Sequence, residues 1–310
     1  MRIGFFGTPD FAVPSLKMLA GEGYTVAGVF CQPDRKSGRG HHVSFSPVKE
    51  TALGLGLPVF QFEKIKSPEA VQQIKDLNLD LMVTAAYGQI LSKEVLDAPK
   101  LGCINVHASL LPKYRGAAPI QWVIINGETS TGITTMFTDV GLDTGDMLLK
   151  RAVPIGKDET GGELYERLAI LGADVLKDTL EAMESGTLTR TPQKEEDASY
   201  YPMLHKEMAK LDFGQTSRQL VDRVRALCPI MRCYASLNGE EIKLISLKIS
   251  ETATEGKPGE VLAADPKQGL IIKTGDGAVE AVQIQYPGGK AMDAKASLLG
   301  KPIAAGDCFE

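Results

Sequence analysis

The first 185 residues alternate between short apolar runs and longer segments in which apolar residues recur every three or four positions. Short apolar runs are typical of buried strands, and the three-to-four spacing is typical of amphipathic helices. The sequence predicts helices at 11–20, 47–53, 68–77 and 92–97, and strands at 2–6, 25–30, 58–60, 79–85 and 103–107. This alternation predicts an α/β fold, with a Rossmann-like, mostly parallel sheet and helices on both faces.

The pattern changes after residue 107. Two apolar runs at 132–137 and 146–153 are separated by a short loop, which indicates an antiparallel or bent addition to the sheet. The longest periodic segment follows at 160–184 and ends just before Gly186, so it predicts a long helix.

Residues 189–206 are charged and weakly periodic, and they contain two prolines, which predicts a linker at 190–205. One helix is predicted beyond it, at 216–227. Five short strand-like runs with glycine-containing turns then follow at 234–237, 241–247, 259–264, 270–274 and 279–284. This pattern predicts a small, OB-like β-barrel. The predicted domains are therefore 1–189 and 206–310.

The length and composition agree with a two-domain globular protein, and the distribution of charge bears on how it could bind nucleic acid. The 310 residues are 43% hydrophobic and 24% charged, and their net charge of −5 argues against binding nucleic acid through bulk positive charge. Residues 206–310 hold 14 basic and 14 acidic residues, so the whole −5 belongs to residues 1–205. Within that acidic part, the segment 34–49 has a net charge of +3. Any electrostatic attraction to nucleic acid is therefore expected to be local.

Targeting and cysteine signals are weak. No apolar run approaches the ~20 residues that a membrane span needs, and residues following Met1 do not form a signal-peptide core. The five cysteines are odd in number and contain no CxxC pair, so neither a disulfide framework nor a zinc site is indicated. We expect a cytoplasmic protein, with no membrane partner and no metal.

Two clusters could carry chemistry. Asn105 and His107 share one face of the strand predicted at 103–107 and emerge at its carboxyl end, where open α/β sheets bind ligands. Residues 139–146 (DVGLDTGD) contain three carboxylates and two glycines. By themselves, the histidine could be a structural residue and the acidic segment a plain turn. The acidic spacing does not fit a calcium loop.

The opening loop GTPD follows a strand, as a dinucleotide-binding loop would. The GxGxxG fingerprint and the P-loop are both missing. A tight turn between strand and helix is the favoured interpretation.

Taken together, several runs resemble the folate-dependent formyltransferases, and within them the branch whose acceptor is methionyl initiator tRNA. They are RIGFFGTPDFAVPSL, QPDRKSGRG, AAYGQIL, INVHASLLPKYRGAAPIQW, DVGLDTGDML and KEMAKLDF. The resemblance extends over nearly the whole chain. It implies transfer of a formyl group from 10-formyltetrahydrofolate to the α-amine of methionyl-tRNA, with no metal.

The resemblance places the catalytic residues at Asn105, His107 and Asp143. These residue types suit the reaction, because an attacking amine must lose a proton and the tetrahedral intermediate carries an oxyanion. Histidine can relay protons, an asparagine amide can donate a hydrogen bond to the oxyanion, and a carboxylate can orient the histidine and stabilise its charged form.

The resemblance also implies binding residues. The folate pterin would be held by backbone groups of two segments, with a third segment lining the site: Gln89, Ile90, Leu91; Val140, Gly141, Leu142; and Ser109, Leu110, Leu111, Pro112. Within the segment 34–49, the residues expected to contact tRNA are Arg35, Lys36 and Arg39. The C-terminal domain is expected to bind tRNA as well, and the chain is expected to be a monomer.

Two alternatives remain open at this stage. A formyltransferase that acts on a nucleotide-linked amino sugar could share the catalytic trio but would not need the basic segment 34–49. A non-catalytic RNA-binding protein would rely on the C-terminal barrel, where Tyr234 and Tyr286 are the few candidates for stacking on bases.

Overall fold

The computed structural model describes residues 1–37, 42–251, 255–300 and 303–310. Its helices are α1 (Val13–Gly21), α2 (Pro47–Gly54), α3 (Pro68–Asp76), α4 (Lys93–Leu96), α5 (Pro119–Ile125), α6 (Gly161–Glu184), α7 (Ser217–Leu227) and α8 (Ala294–Ser297). Its strands are β1 (Arg2–Gly7), β2 (Thr25–Cys31), β3 (Arg35–Ser37), β4 (His42–Ser44), β5 (Val59–Gln61), β6 (Leu81–Ala85), β7 (Cys103–His107), β8 (Arg115–Gly116), β9 (Ser130–Phe137), β10 (Met147–Pro154), β11 (Tyr200–Tyr201), β12 (Cys233–Leu237), β13 (Glu240–Ser250), β14 (Val261–Asp265), β15 (Gly269–Lys273), β16 (Ala278–Gln285) and β17 (Met292–Asp293).

The contacts divide the chain into two units. The first comprises Met1–Pro119, Thr131–Val153 and Tyr165–Tyr201, and the second comprises Ile120–Ser130, Pro154–Leu164 and Pro202–Glu310. Each unit is described by itself below. The domain limits predicted from the sequence stay a prediction.

The first unit contains a seven-stranded sheet in the order β10-β9-β7-β6-β1-β2-β5. Five neighbouring strands of this sheet, β7, β6, β1, β2 and β5, pair in parallel. The next strand, β9, pairs with β7 in the antiparallel direction. The predicted mostly parallel sheet with an antiparallel addition is confirmed.

Helices cover both faces of this sheet. Cys103 of β7 belongs to the hydrophobic cluster formed with α3 and α4. Val106 of the same strand faces α6, where an added Cβ on Gly172 would lie 3.0 Å from Val106 Cγ1. Side chains three apart on a strand point to opposite faces, so α6 lies opposite α3 and α4. The glycine allows α6 to approach the sheet closely.

The second unit contains an antiparallel sheet in the order β12-β13-β16-β15-β14, with β17 paired to β16. The C-terminal residues bridge its two edge strands. Ser236 N donates to Glu310 O at 2.8 Å beside one edge, and Val261 N donates to Asp307 O at 2.8 Å beside the other. Both edges are therefore joined by the chain terminus, as the predicted OB-like barrel requires. Helix α7 begins at a capping box formed by Thr216 and Gln219, and contributes Leu220, Val224 and Leu227 to the core of this unit.

Some elements were not predicted. The short strands β3 and β4 pair within the basic segment 34–49. The strand β11 lies inside the predicted linker and pairs in parallel with β8. No helix among the described residues is long and apolar enough to cross a membrane.

Candidate active site

The strand β7 has the predicted bounds and presents Asn105 and His107 on one face at its carboxyl end. The neighbouring strand β6 fixes the amide of Asn105. The Thr84 hydroxyl donates to Asn105 Oδ1 at 2.9 Å. Because the oxygen of this amide is the acceptor, its NH₂ group is left to donate toward a bound molecule.

The second side chain, His107, is 6% exposed. Its Nε2 lies 2.9 Å from the carbonyl oxygen of Tyr114. A carbonyl only accepts hydrogen bonds, so Nε2 carries the proton and the neutral ring has its lone pair on Nδ1. Nδ1 lies 3.8 Å from Asp143 Oδ2. The atom that can accept a proton therefore faces a carboxylate.

The third predicted residue, Asp143, lies in the loop between β9 and β10 and adopts a positive φ of 54°. Its Oδ2 accepts a hydrogen bond from Gly116 N at 2.8 Å. The structure thus brings Asn105, His107 and Asp143 together, although they come from one strand and one distant loop. Their catalytic role stays a prediction.

The acidic loop 139–146 is held as a turn by hydrogen bonds within it. Asp139 Oδ1 accepts from Gly141 N at 3.0 Å and from the Thr144 hydroxyl at 2.6 Å, which ties the two halves of the loop. Among the described residues, no three His, Cys, Asp or Glu side chains are grouped as metal ligands.

The segment after β7 is also tightly bonded. The Ser109 hydroxyl donates to Lys113 O at 2.7 Å, and Thr134 Oγ1 donates to Ser109 O at 2.7 Å. Leu111 N donates to the same Thr134 hydroxyl at 3.1 Å. The side chains of Ser109 and Leu111 are both buried. They therefore support the backbone of this segment and are not exposed to a ligand.

The predicted pterin residues differ in their surroundings. The Gln89 side chain accepts from Ile65 N at 2.8 Å and donates to Phe62 O at 3.0 Å, so it braces a neighbouring turn. Three apolar side chains of the predicted folate site project into solvent, with exposures of 80% for Ile90, 69% for Val140 and 55% for Leu142. Apolar side chains that remain exposed are available to contact a ligand.

A cavity of about 910 Å³ lies at the other end of β7, beside Gly102 and Cys103. Its lining includes apolar residues and basic residues: Leu96, Cys103, Phe137 and Val140, and Lys93, Lys100 and Arg190. Val140 is the one residue of the predicted folate site that lines this cavity, and neither Asn105 nor His107 does, so the cavity is separate from the cluster that these residues form with Asp143. Burial raises the pKa of the Cys103 thiol to about 12, so this wall residue is a neutral thiol.

The basic segment 34–49 is fixed at its base. Lys49 forms an ion pair with Asp34 and donates to Gln61 Oε1 at 2.8 Å. Hydrogen bonds from Lys49 and Gln61 lower the pKa of Asp34. Arg35, which follows Asp34, is exposed. For Lys36 only the backbone is described, and the predicted contact Arg39 lies outside the described residues.

Sequence reasoning missed two kinds of supporting residue. Thr84 is on the strand beside Asn105, and its register became clear only once β6 and β7 were paired. The other group comes from the predicted linker, where Gln193, Glu195, Ser199 and Tyr200 bond to the loops that carry the site. The prolines and charges of that segment gave no signal for these contacts.

Comparison with known proteins agrees with this architecture. Residues 1–180 match the formyl transferase family, and residues 203–302 match the formyl transferase C-terminal domain. The chain is 50% identical over 309 residues to the methionyl-tRNA formyltransferase of Ruminiclostridium cellulolyticum, covering 99% of each chain. It is 49% identical over 307 residues to the protein of the same name from Caldanaerobacter subterraneus subsp. tengcongensis, again covering 99% of each.

Solved structures share the fold at lower identity. The sugar 3N-formyl transferase WlaRD, solved in the presence of dTDP and 5-N-formyl-THF, superposes with a TM-score of 0.64 at 19% identity, over 92% of this chain and 97% of that one. HypX from Aquifex aeolicus in complex with tetrahydrofolic acid gives a TM-score of 0.61 at 20% identity, over 100% of this chain and 50% of that one. From the two domain matches and the full-length identity, the chain belongs to the formyl transferase family.

Proposed function

We propose that this protein transfers the formyl group of 10-formyltetrahydrofolate to the α-amino group of methionyl initiator tRNA. The observation that carries the proposal is the convergence of Asn105, His107 and Asp143 at the end of β7, with the Nδ1 atom of His107 facing the carboxylate. The identity of the formyl acceptor is inferred from the relatives named methionyl-tRNA formyltransferase, to which this chain is 50% and 49% identical over 99% of its length.

The residues present fit a folate. Its pterin ring has polar edges and two broad faces that can pack on apolar side chains, and sites for such groups combine apolar walls with a few placed hydrogen-bonding groups. The exposed side chains of Ile90, Val140 and Leu142 can supply apolar contacts, and the NH₂ group of Asn105 can supply a hydrogen bond. The bound cosubstrate would supply an activated formyl carbon.

The side chains then have distinct tasks. His107 Nδ1 is the lone-pair atom: it accepts the proton that the attacking amine loses and passes it to the folate nitrogen as the bond from that nitrogen to the formyl carbon breaks. Asp143 stabilises the resulting imidazolium through their opposite charges, from 3.8 Å. The NH₂ group of Asn105, oriented by Thr84, donates to the formyl oxygen as negative charge develops there, a type of contact worth roughly 3 kcal/mol in other enzymes.

We infer that the tRNA meets the protein in part through the segment 34–49. The ion pair between Asp34 and Lys49 joins the two ends of this segment, and Arg35 is exposed beside Asp34. An Arg35→Glu variant is expected to raise KM for methionyl-tRNA and to flatten its salt dependence, while KM for the folate is unchanged. Lys17→Glu, the same charge change at an exposed position of α1, serves as the control. Equal effects of the two substitutions would contradict a local tRNA contact.

The amino-sugar alternative has weaker support. The sugar formyltransferase that matches in structure is 19% identical, which shows a shared fold alone. The cytoplasmic location and the monomeric state expected from the sequence stay predictions.

The experiment that tests the proposal compares acceptors. Purified protein with 10-formyltetrahydrofolate is given methionyl initiator tRNA, methionyl elongator tRNA or a nucleotide-linked amino sugar, and the formylated product is measured by mass spectrometry. Formylation of methionyl initiator tRNA is expected. Transfer only to the amino sugar, or to none of the three, would overturn the proposal.

A further inference from the structure

One residue of the predicted linker bonds directly to the loop that carries Asp143. The Gln193 amide donates through Nε2 to the carbonyl oxygens of Asp143 and Gly145, both at 2.8 Å. Its Oε1 accepts from Arg115 Nε at 2.9 Å. Both N–H groups and the oxygen of this amide are thus used, and every contact reaches a different segment from its own.

The two carbonyls belong to a backbone that needs support. Asp143 has a φ of 54°, in the left-handed region that side chains other than glycine seldom adopt. The loop is closed at its base by a hydrogen bond from Phe137 N to Asp146 O at 2.9 Å. Gln193 adds two hydrogen bonds to this loop, one of them to the carbonyl group of Asp143 itself. These hydrogen bonds hold the backbone of Asp143 in its left-handed conformation.

The same segment also holds the other side of the site. Arg115 is 1% exposed and forms an ion pair with Glu195 at 2.7 Å, and it donates to the Tyr200 hydroxyl. Burial opposes the charged guanidinium, but the hydrogen bonds to Glu195 and Tyr200 outweigh it and raise the pKa of Arg115. Arg115 therefore provides a fixed cation against which the Gln193 amide is oriented.

Ser199 extends this bracing to the histidine. Its hydroxyl accepts from Tyr114 N at 2.9 Å, and Tyr114 also stacks on Tyr201 with ring centroids 4.8 Å apart. The carbonyl oxygen of Tyr114 is the acceptor for His107 Nε2. Residues 193–201 thus brace the partners of His107 on both nitrogen atoms.

We propose that Gln193 is a positioning residue for formyl transfer, which fixes Asp143 opposite His107 Nδ1 from outside both catalytic motifs. The proposal rests on the proposed function for its kinetic consequences. Its structural part, that Gln193 holds the loop 139–146, applies to the protein without any substrate.

Two substitutions distinguish support of the Asp143 loop by Gln193 from a hydrogen bond between Gln193 and Arg115 alone. Gln193→Met removes all three hydrogen bonds, whereas Gln193→Glu keeps an acceptor for Arg115 and loses both N–H donors. Both are expected to lower kcat by about 10- to 100-fold, because a small displacement of a catalytic group has that effect. Gln72→Met, the same change at an exposed position of α3, is expected to keep wild-type kinetics. Wild-type kcat in Gln193→Glu would overturn the proposal.

A double-mutant cycle tests whether Gln193 acts through Asp143. In an Asp143→Asn background, Gln193→Glu is expected to have little further effect on kcat, because the charge that it positions is already lost. A loss as large as in the wild-type background would mean a general structural role and would overturn the proposal.

A measurement on the protein without substrate distinguishes failure of the positioning role of Gln193 from failure of the proposed function. Hydrogen exchange of residues 139–146 is expected to be faster in Gln193→Glu than in wild type, while the strand β7 stays protected. Unchanged exchange in that loop would overturn the positioning role. If wild-type protein forms no formyl product, the proposed function fails, and this exchange measurement still decides whether Gln193 holds the loop.

Discussion

His107 Nδ1 faces Asp143 Oδ2 across 3.8 Å, while Nε2 of the same ring donates to the Tyr114 carbonyl. This arrangement decides which nitrogen accepts a proton, because the carbonyl fixes the tautomer of the neutral ring. A proton gained at Nδ1 is placed next to a carboxylate. The pair is therefore arranged to stabilise the charged histidine, which a general base needs after it has taken a proton.

The first prediction concerns the charge of Asp143. Asp143→Asn keeps an oxygen that can accept from Gly116 N and removes the negative charge opposite His107. We expect kcat to fall by about 10²- to 10⁴-fold, because the imidazolium loses its counter-charge. Steady-state kinetics of formyl transfer measure this. Asp174→Asn, the same change at an exposed position of α6, is expected to leave kcat unchanged. Equal turnover by the two variants would contradict a catalytic role for Asp143.

The second prediction concerns the buried hydroxyl that orients Asn105. Thr84→Val retains the shape of the side chain but removes the donor to Asn105 Oδ1. The amide is then free to rotate, and we expect kcat to fall by roughly tenfold, the equivalent of one hydrogen bond. Thr84→Ser restores the hydroxyl and is expected to recover most of the rate. A Ser variant no better than the Val variant would show that packing, and not the hydrogen bond, matters at this position.

The third prediction concerns the junction between β8 and β11. Gly116 has a φ of +95°, and an added Cβ would lie 2.5 Å from the carbonyl oxygen of Tyr201. Gly116→Ala is therefore expected to destabilise the fold by about 1–3 kcal/mol, measured by thermal unfolding. Gly54 ends α2 and has open space around its Cβ position, so Gly54→Ala is expected to be neutral or slightly stabilising. Unchanged stability in Gly116→Ala would mean that β8 and β11 separate readily.

The fourth prediction concerns an apolar side chain of the predicted folate site. Val140→Asp replaces an apolar side chain that is 69% exposed by a charged one. Loss of an apolar contact of this size is expected to weaken folate binding by about 10- to 100-fold, measured by titration with a reduced folate. Ile170→Asp, at an apolar position of α6 that is 61% exposed, is the matched control. If both variants bind folate as wild type does, the ligand does not contact Val140.

The sequence predicts the individual strands and helices of this structure closely. The strand β7 was predicted with its observed bounds because its apolar residues alternate with the polar Asn105 and His107. The long helix α6 was predicted to within one residue by its periodic leucines. In both, the signal lies within neighbouring residues, where side-chain periodicity reports burial directly.

The contacts that complete the site could not be predicted in this way. Arg115 and Gln193 are 78 residues apart in the chain, and their hydrogen bond depends on how two loops fold together. The polar and proline-containing composition of residues 190–205 predicted a linker, since it lacks the periodicity of a helix or strand. Yet this segment bonds to the loop that carries Asp143 and to the segment that follows His107. Such non-local polar contacts leave no pattern in a single sequence.

The most direct test of the account is a formyl-transfer assay with purified wild-type protein and His107→Ala, given 10-formyltetrahydrofolate and methionyl initiator tRNA, together with folate binding by both proteins. The account predicts formyl-methionyl-tRNA with wild type, a rate several orders of magnitude lower with His107→Ala, and folate binding largely kept in the variant. Near-normal turnover by His107→Ala, or no transfer by wild type, would contradict it.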